Sequence, residues 1–556
     1  MMKRILFGAL LLCIGGVCSA EDIIIRYKGN KATVQQSKKD SVQVTVDGAC
    51  VNIESRYVDH KLTLCLTGRS DDGQLILKTA GKAKVTLDAL VLTSQEGAPL
   101  HLKNKKKVEI VASKGTENTL TIAACNDTAN HKAAVIWAKD KLLLSGKGTL
   151  NIIATGDGCR GIKSKKDVTV EDVTLQVTTS GNNLGEKPFA FGGFPGGPEG
   201  GFPEGGFPMG NDSIRRGGFP GGGFPMGNDS IRHGGFPGGP GGMPPFNFDD
   251  IPEEVKQQFE EMRKQFEERM ASDSTGRGGF TGFFGGMPPF GGMRPEGGDS
   301  IEGNFPDFGG EDFGGDFGGG FGGKHKYVAS TKGIASKGKI IFNSGNVTVR
   351  TSTAGAEGIE GKKGIVFNGG NIDVLSPDDA INASGCIEFN GAYVLARSTG
   401  NDAVDANPAN GFFSPFGNNE QSDEPAIVIR GGTVYAWSQV GSPEEGLDCD
   451  FAALIIEGGN VFSVGGGMGE MPSVPTNETA KQPTVLLIGI PIAKDEPIQL
   501  LDEGGKVIET IHIPFALRRS ASLVSNAAFK LGGTYTVKTK GYEKTFCLNE
   551  SFTQVR

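Results

Sequence analysis

Acidic side chains recur in this chain at fixed register. Glu357, Asp379, Asp402 and Glu445 each stand two residues before an apolar residue. Glu360, Asn382, Asp405 and Asp448 each stand one residue after it, with Asp378, Glu444 and Asp450 close by. The apolar marks are Ile359, Ile381, Val404 and Leu447. Ile334 opens the series, and the first three intervals are 25, 22 and 23 residues. If residues of equal register stack, neighbouring carboxylates lie about 4.8 Å apart and repel by roughly 3 kcal/mol at an effective dielectric of 20. Such a ladder needs protons, basic side chains or a cation. Ca²⁺ is the hard cation that takes six to eight oxygens in irregular geometry, and the D-x-x-D spacing of Asp402 and Asp405 supplies oxygens of that kind. A solvated acidic edge is the plain alternative in a chain of net charge −8. Repetition at one register favours the metal. In the Ile334 coil the two places are held by Lys332 and Ala335, which argues against a metal there.

The elements that must position these acids are short. Phrases such as KGIASKGKIIFNSGNVTVR and EGIEGKKGIVFNGGNIDVL are β-branched runs broken by Asn-Gly or Gly-Gly. A period in the low twenties is too short for a helical repeat and fits one turn of a parallel β-helix. Asn343, Asn368, Asn390, Arg430 and Glu457 form a turn column, each followed by small residues that tolerate positive φ. Val347, Val349, Ile372, Val374, Val434, Ala436 and Val461 alternate inward as core. The positions between them stack as Thr348, Asp373, Leu395, Tyr435, Phe462 and as Arg350, Leu375, Arg397, Trp437, Val464. Arg350, Arg397, Tyr435 and Trp437 are therefore candidate carbohydrate contacts, the rings offering an apolar face and the guanidinium groups a partner for a uronate carboxylate. The alternative is that these aromatics meet the amphipathic helix or the rest of the insertion.

Residues 1–20 read as a secretory signal peptide: Lys3 and Arg4, an apolar run, then Cys18-Ser19-Ala20, with cleavage near Ala20. No later run is long enough for a spanning helix. The expectation is export to the periplasm or cell surface. Of the cysteines that remain, Cys50 and Cys65 are the one expected bridge, and the rest read as small core residues. Residues 21–183 carry earlier, less regular coils, with Ile136 and Ile162 in register and Arg160 and Lys163 in the columns that are acidic later. Residues 184–326 are a Gly/Phe/Pro-rich low-complexity insertion, expected to be disordered, with one amphipathic helix over 251–271. The main coils fill 327–468. Residues 482–556 read as an antiparallel β cap over the open end of the solenoid.

In the order of its phrases the chain resembles the bacterial secreted carbohydrate-binding-domain proteins, built as calcium-containing right-handed parallel β-helices of pectate-lyase-like fold. The phrases are KVTLDALVLTSQEGAPLHL, AAVIWAKDKLLLSGKGTLNI, the repeated FNGGN, DDAINA, NDAVDANPA, the Gly/Phe/Pro insertion and SLVSNAAFKLGGTYTV. The resemblance implies calcium between coils and affinity for cellulose or polygalacturonate, with no established catalytic function. Asp379, Asn382, Asp402, Asp405 and Asp448 match its acidic positions. The sequence thus leads to a secreted, non-catalytic, calcium-dependent polysaccharide-binding protein, expected to be a monomer, with no catalytic residue assigned. A polysaccharide lyase is one alternative, and Arg397, Lys362 and Lys363 would be its bases. A surface adhesin or structural solenoid is the other. Nucleic acid is not an expected partner, because the chain is acidic and its basic run, Lys103 to Lys107, reads as a solvated coil turn.

Overall fold

The computed structural model describes residues 21–37, 42–125, 133–186, 327–407, 426–449, 452–467 and 472–556. All belong to one compact unit, Met1–Phe194 with Gly315–Arg556; a second unit, Pro195–Gly314, lies outside the described residues. The signal peptide, the helix over 251–271 and Asp450 also lie outside them.

Every described element is a strand. Each regular coil contributes three, as in Glu357–Gly361, Ile365–Phe367 and Asn371–Ser376. The first strands stack into an eleven-stranded sheet, and the second and third strands belong to a 23-stranded one. From Gln74–Thr79 to Asn460–Gly465 the pairing between coils is parallel. The expected register holds residue for residue: Ile162, Ile334, Ile359, Ile381, Val404 and Leu447 pair in succession. Ile162 pairs directly with Ile334, and Leu184–Glu186 meets Tyr327–Ala329 in an antiparallel pair. The coils therefore resume after the insertion where they stopped.

The core lies inside the coils, where period-two alternation places it. The seven residues expected there, from Val347 to Val461, are all buried. Phe342, Phe367 and Phe389 add a column of stacked rings with centroids 5.1 and 4.9 Å apart, the strand spacing imposed on aromatics. The turn column is also bonded side chain to side chain: Asn368 donates to Asn343 at 3.0 Å, and Asn390 donates to Asn368 at 2.9 Å. Positive φ falls two residues later, as at Gly345 (100°), where a Cβ would sit 2.4 Å from the Val173 carbonyl oxygen.

Both ends are closed by antiparallel pairs. Ile23–Lys28 with Lys31–Gln36, and Val42–Asp47 with Cys50–Ser55, form hairpins at the start. At the other end Asn460–Gly465 pairs with Leu517–Ser525, beside a four-stranded sheet with its own apolar core. Cys50 is a free thiol, so the expected Cys50–Cys65 bridge does not form. The two residues lie on strands of different sheets, Cys50–Ser55 and Leu62–Ser70, which sequence proximity cannot reveal.

Candidate functional site

Between the two acidic columns runs a column of small residues: Gly333, Gly358, Ala380, Ala403 and Gly446. A Cβ on Gly358 would meet Val374 Cγ1 at 2.4 Å, so this position points at the core, as does Ile359 after it. Two successive inward positions break the alternation. The acid before the small residue and the acid after the apolar mark are thereby turned to the same side. Coil stacking then brings together residues that are 3, 23 and 26 apart in sequence: Asp379, Asp402 and Asp405 each offer a carboxylate oxygen within 4.8 Å of the others, and all three are buried.

Asn382 holds this cluster, donating to Asp379 Oδ2 at 2.8 Å and to Asp405 Oδ2 at 3.1 Å. Asn407 donates to Asp405 Oδ1 at 2.6 Å, and the Glu445 amide donates to Asp402 Oδ1 at 2.6 Å. Burial, then the charges of Asp379 and Asp448, raise the Asp402 carboxyl well above the ordinary aspartate range. The donor set is hard oxygen in a buried, like-charged setting, which fits Ca²⁺ better than a soft metal.

One coil earlier the same register is resolved differently. Lys332 Nζ lies 2.9 Å from Glu357 Oε2 and 2.7 Å from Glu360 Oε1, all three residues being buried. Lys362 adds a contact of 2.7 Å to Glu360. Burial alone would raise the Glu360 carboxyl, but Lys332, Lys362 and Arg160 outweigh it and hold the group below the usual range. Glu357 and Glu360 are thus gathered around lysine, apart from the aspartate cluster.

One coil later Glu445 Oε2 accepts from the Ser473 amide at 2.7 Å, and Asp448 Oδ1 accepts from its hydroxyl at 3.3 Å. Ser473 lies outside the repeats, so no register signal could have found it. Asp378 accepts from Asn401 Nδ2 at 2.7 Å, and its carbonyl accepts from Ser376 and Ser398. That residue braces a corner.

The expected carbohydrate strip stacks in the expected columns but is not an open platform. Trp437 is 4% exposed, within the apolar core that the C-terminal strands share, and its indole donates to the Phe462 carbonyl at 3.2 Å. The Tyr435 hydroxyl donates to Glu509 of that same region. The aromatics meet the cap, and Trp437 has no face left for a sugar. Arg350 and Arg397 both pair with Asp373, the latter at 2.6 Å. Tyr393, 43% exposed and edge-on to Tyr435 at 5.8 Å, is the outward ring that the sequence reading missed. Its column otherwise carries Asn and Thr, which hid it.

Comparison with known proteins gives three findings. A family described as carbohydrate-binding domain-containing protein matches residues 47–187 and 321–406. A curated carbohydrate-binding domain-containing protein from Acetivibrio thermocellus is 25% identical over 138 residues, which is 24% of this chain and 48% of that protein. The chain thus spans about half the length of the curated relative it matches. A solved polysaccharide lyase-like protein from C. thermocellum, in a gadolinium derivative, aligns with 67% of this chain and 93% of its own at 13% identity, with a TM-score of 0.32. Over the matched coils, which include the aspartate cluster, the chain is similar to carbohydrate-binding domain-containing proteins.

Proposed function

We propose that this protein is an exported, non-catalytic, calcium-dependent polysaccharide-binding β-solenoid, whose ligands are plant-type or acidic glycans such as cellulose or polygalacturonate. The observation that carries the calcium reading is the convergence of Asp379, Asp402 and Asp405 within 4.8 Å in a buried setting. The similarity to carbohydrate-binding domain-containing proteins supports the polysaccharide reading. Asp379, Asp402 and Asp405 would hold the cation, with Asn382 and Asp448 beside them. Bound there, Ca²⁺ would supply positive charge that offsets carboxylate repulsion and can attract a uronate group. Asn382 and Asn407 orient the carboxylates, and the small residues of the inward column let successive coils approach closely enough to share them.

Binding is favoured over lyase chemistry by where the three candidate bases stand. Arg397 pairs with Asp373, Lys362 pairs with Glu360, and Lys363 lies near Asp167. The test is calorimetry with polygalacturonate and with cellulose oligomers on metal-stripped and Ca²⁺-loaded protein, with absorbance followed for unsaturated products. Ca²⁺-dependent heat without product supports the proposal. Rising absorbance would replace it with a lyase, and silence toward both glycans would overturn it in favour of a structural solenoid.

A further inference from the structure

From Lys78 to Lys362, the end of the first strand or the turn just after it repeats one residue type. Pairing places Lys78 beside Lys103, and the next three coils bring Lys139, Lys165 and Lys337 into the same column, ending at Lys362. The backbone bonds follow the same ladder: the Lys139 amide bonds to the Leu102 carbonyl, Lys165 to Ala138, Lys337 to Ser164 and Lys362 to Ser336. Across the turn, one residue before each second strand, a second column runs through Lys82, Lys107, Lys141 and Lys339, with Asp167 standing between the last two. Apart from Lys362, which is half-buried, every lysine of both columns is exposed. The second column ends at Lys339, since Gly364 holds the next place, and the first ends one coil later at Lys362, since Ser384 holds the next place where the aspartate cluster begins. At about 4.8 Å per coil the row of six is roughly 24 Å long. The basic run at Lys103 is therefore one rung of a stripe that the fold assembles from turns scattered over nearly 300 residues, in a chain of net charge −8.

We propose that this lysine ridge is the docking surface for a linear acidic polysaccharide, laid along the solenoid axis with its carboxylates facing successive coils. The proposal rests on the polysaccharide reading above and assigns its acidic ligand to a surface separate from the aspartate cluster. Rows of like charge at strand spacing require counter-charge, and a polyuronate supplies one carboxylate per sugar at a comparable repeat. The composition of the ridge selects among polyanions. Its cations are all lysine, point charges that pair with successive carboxylates without imposing one orientation on them. Its turns, KNKKK, KDK, KKD, KGK and KK, contain no aromatic residue on which a base could stack. They also contain no large apolar residue to enter a membrane. Asp140 and Asp167 are the acids within them; Asp167 pairs with Lys141 at 2.9 Å, and the Asp140 side chain accepts from the Lys141 amide.

The test compares the full chain with Lys139→Gln/Lys165→Gln/Lys337→Gln, measuring polygalacturonate binding against sodium chloride concentration, with a neutral glucan and single-stranded DNA of matched charge as further probes. These positions are exposed turns, and a thermal melt checks that the variant is folded. The expected result is a loss of polygalacturonate affinity on the order of tenfold to a hundredfold at low salt, with a shallower salt dependence. Unchanged affinity and salt dependence in the folded variant would overturn the ridge while leaving polysaccharide binding intact. Failure of the parent chain to bind any glycan would overturn both readings. Tighter binding of DNA than of polygalacturonate, lost in the variant, would assign the ridge to nucleic acid instead.

Discussion

Glu357 and Glu360 lie one coil before Asp379 and Asn382, in the same register and similarly buried. In the earlier stage an ammonium group from the preceding coil sits between the two carboxylates, and Glu360 is held ionised. In the later stage the charges acting on Asp402 are those of Asp379, Asp448 and Glu444, and its carboxyl is driven toward the protonated form. The fold is the same and the inward column is small in both, but glutamates in the earlier stage give way to aspartates and Asn382 in the later one, and only the earlier stage receives a lysine from the neighbouring coil. A solenoid thus sets the chemistry of each stage through the coil beside it, because every coil shares its register positions with the next. The first stage contains its own cation, and the second is suited to acquiring one.

Removing the built-in cation should have the largest effect. Lys332→Met leaves Glu357 and Glu360 buried without it, and an expected loss of about 3–5 kcal/mol would appear as a lower urea midpoint. If Glu357 and Glu360 can share a cation as the aspartates are proposed to, Ca²⁺ should restore part of that loss in the variant. Next in size is the response to metal. At a hundredfold excess over its dissociation constant, Ca²⁺ should stabilise the parent chain by about 2.7 kcal/mol. Asp405→Asn should abolish that gain, and an equal gain in the variant would show that the cation binds elsewhere.

The pH dependence should be smaller and opposite in sign for the two stages in metal-free protein. Glu360 has a lowered folded value, so its stabilisation is present above the ordinary 4.5 and is lost as pH falls through the folded value. Asp402 has a raised folded value. Its contribution is complete below the ordinary 3.8 and is lost as pH rises through the folded value. Urea midpoints of Glu360→Gln and Asp402→Asn, each followed against pH beside the parent, should therefore diverge from it in opposite directions. The smallest effect is expected from Ser473→Ala, which removes one hydroxyl bond to Asp448 and the acceptor for the Cys449 amide. About 0.5–1.5 kcal/mol is expected in the same denaturation assay.

The sequence by itself determined the coil register, because side-chain alternation and turn chemistry are local and repeat with the coil. Ile334, Ile359, Ile381, Val404 and Leu447 stack as their spacing requires. It also determined which columns are acidic and that Lys332 interrupts them. Only the tertiary structure decided what those columns touch. The inward turn at Ala403, equivalent to that at Gly358, brings Asp405 to the side of Asp402, since alternation alone would separate residues of one strand whose sequence distance is odd, and coil stacking adds Asp379. The C-terminal strands cover Trp437, and strands of the same polarity pattern could equally have left it open. The lysine ridge is likewise invisible in a linear reading, where its turns are short and separated by strands. Stacking at one strand spacing makes them a single surface.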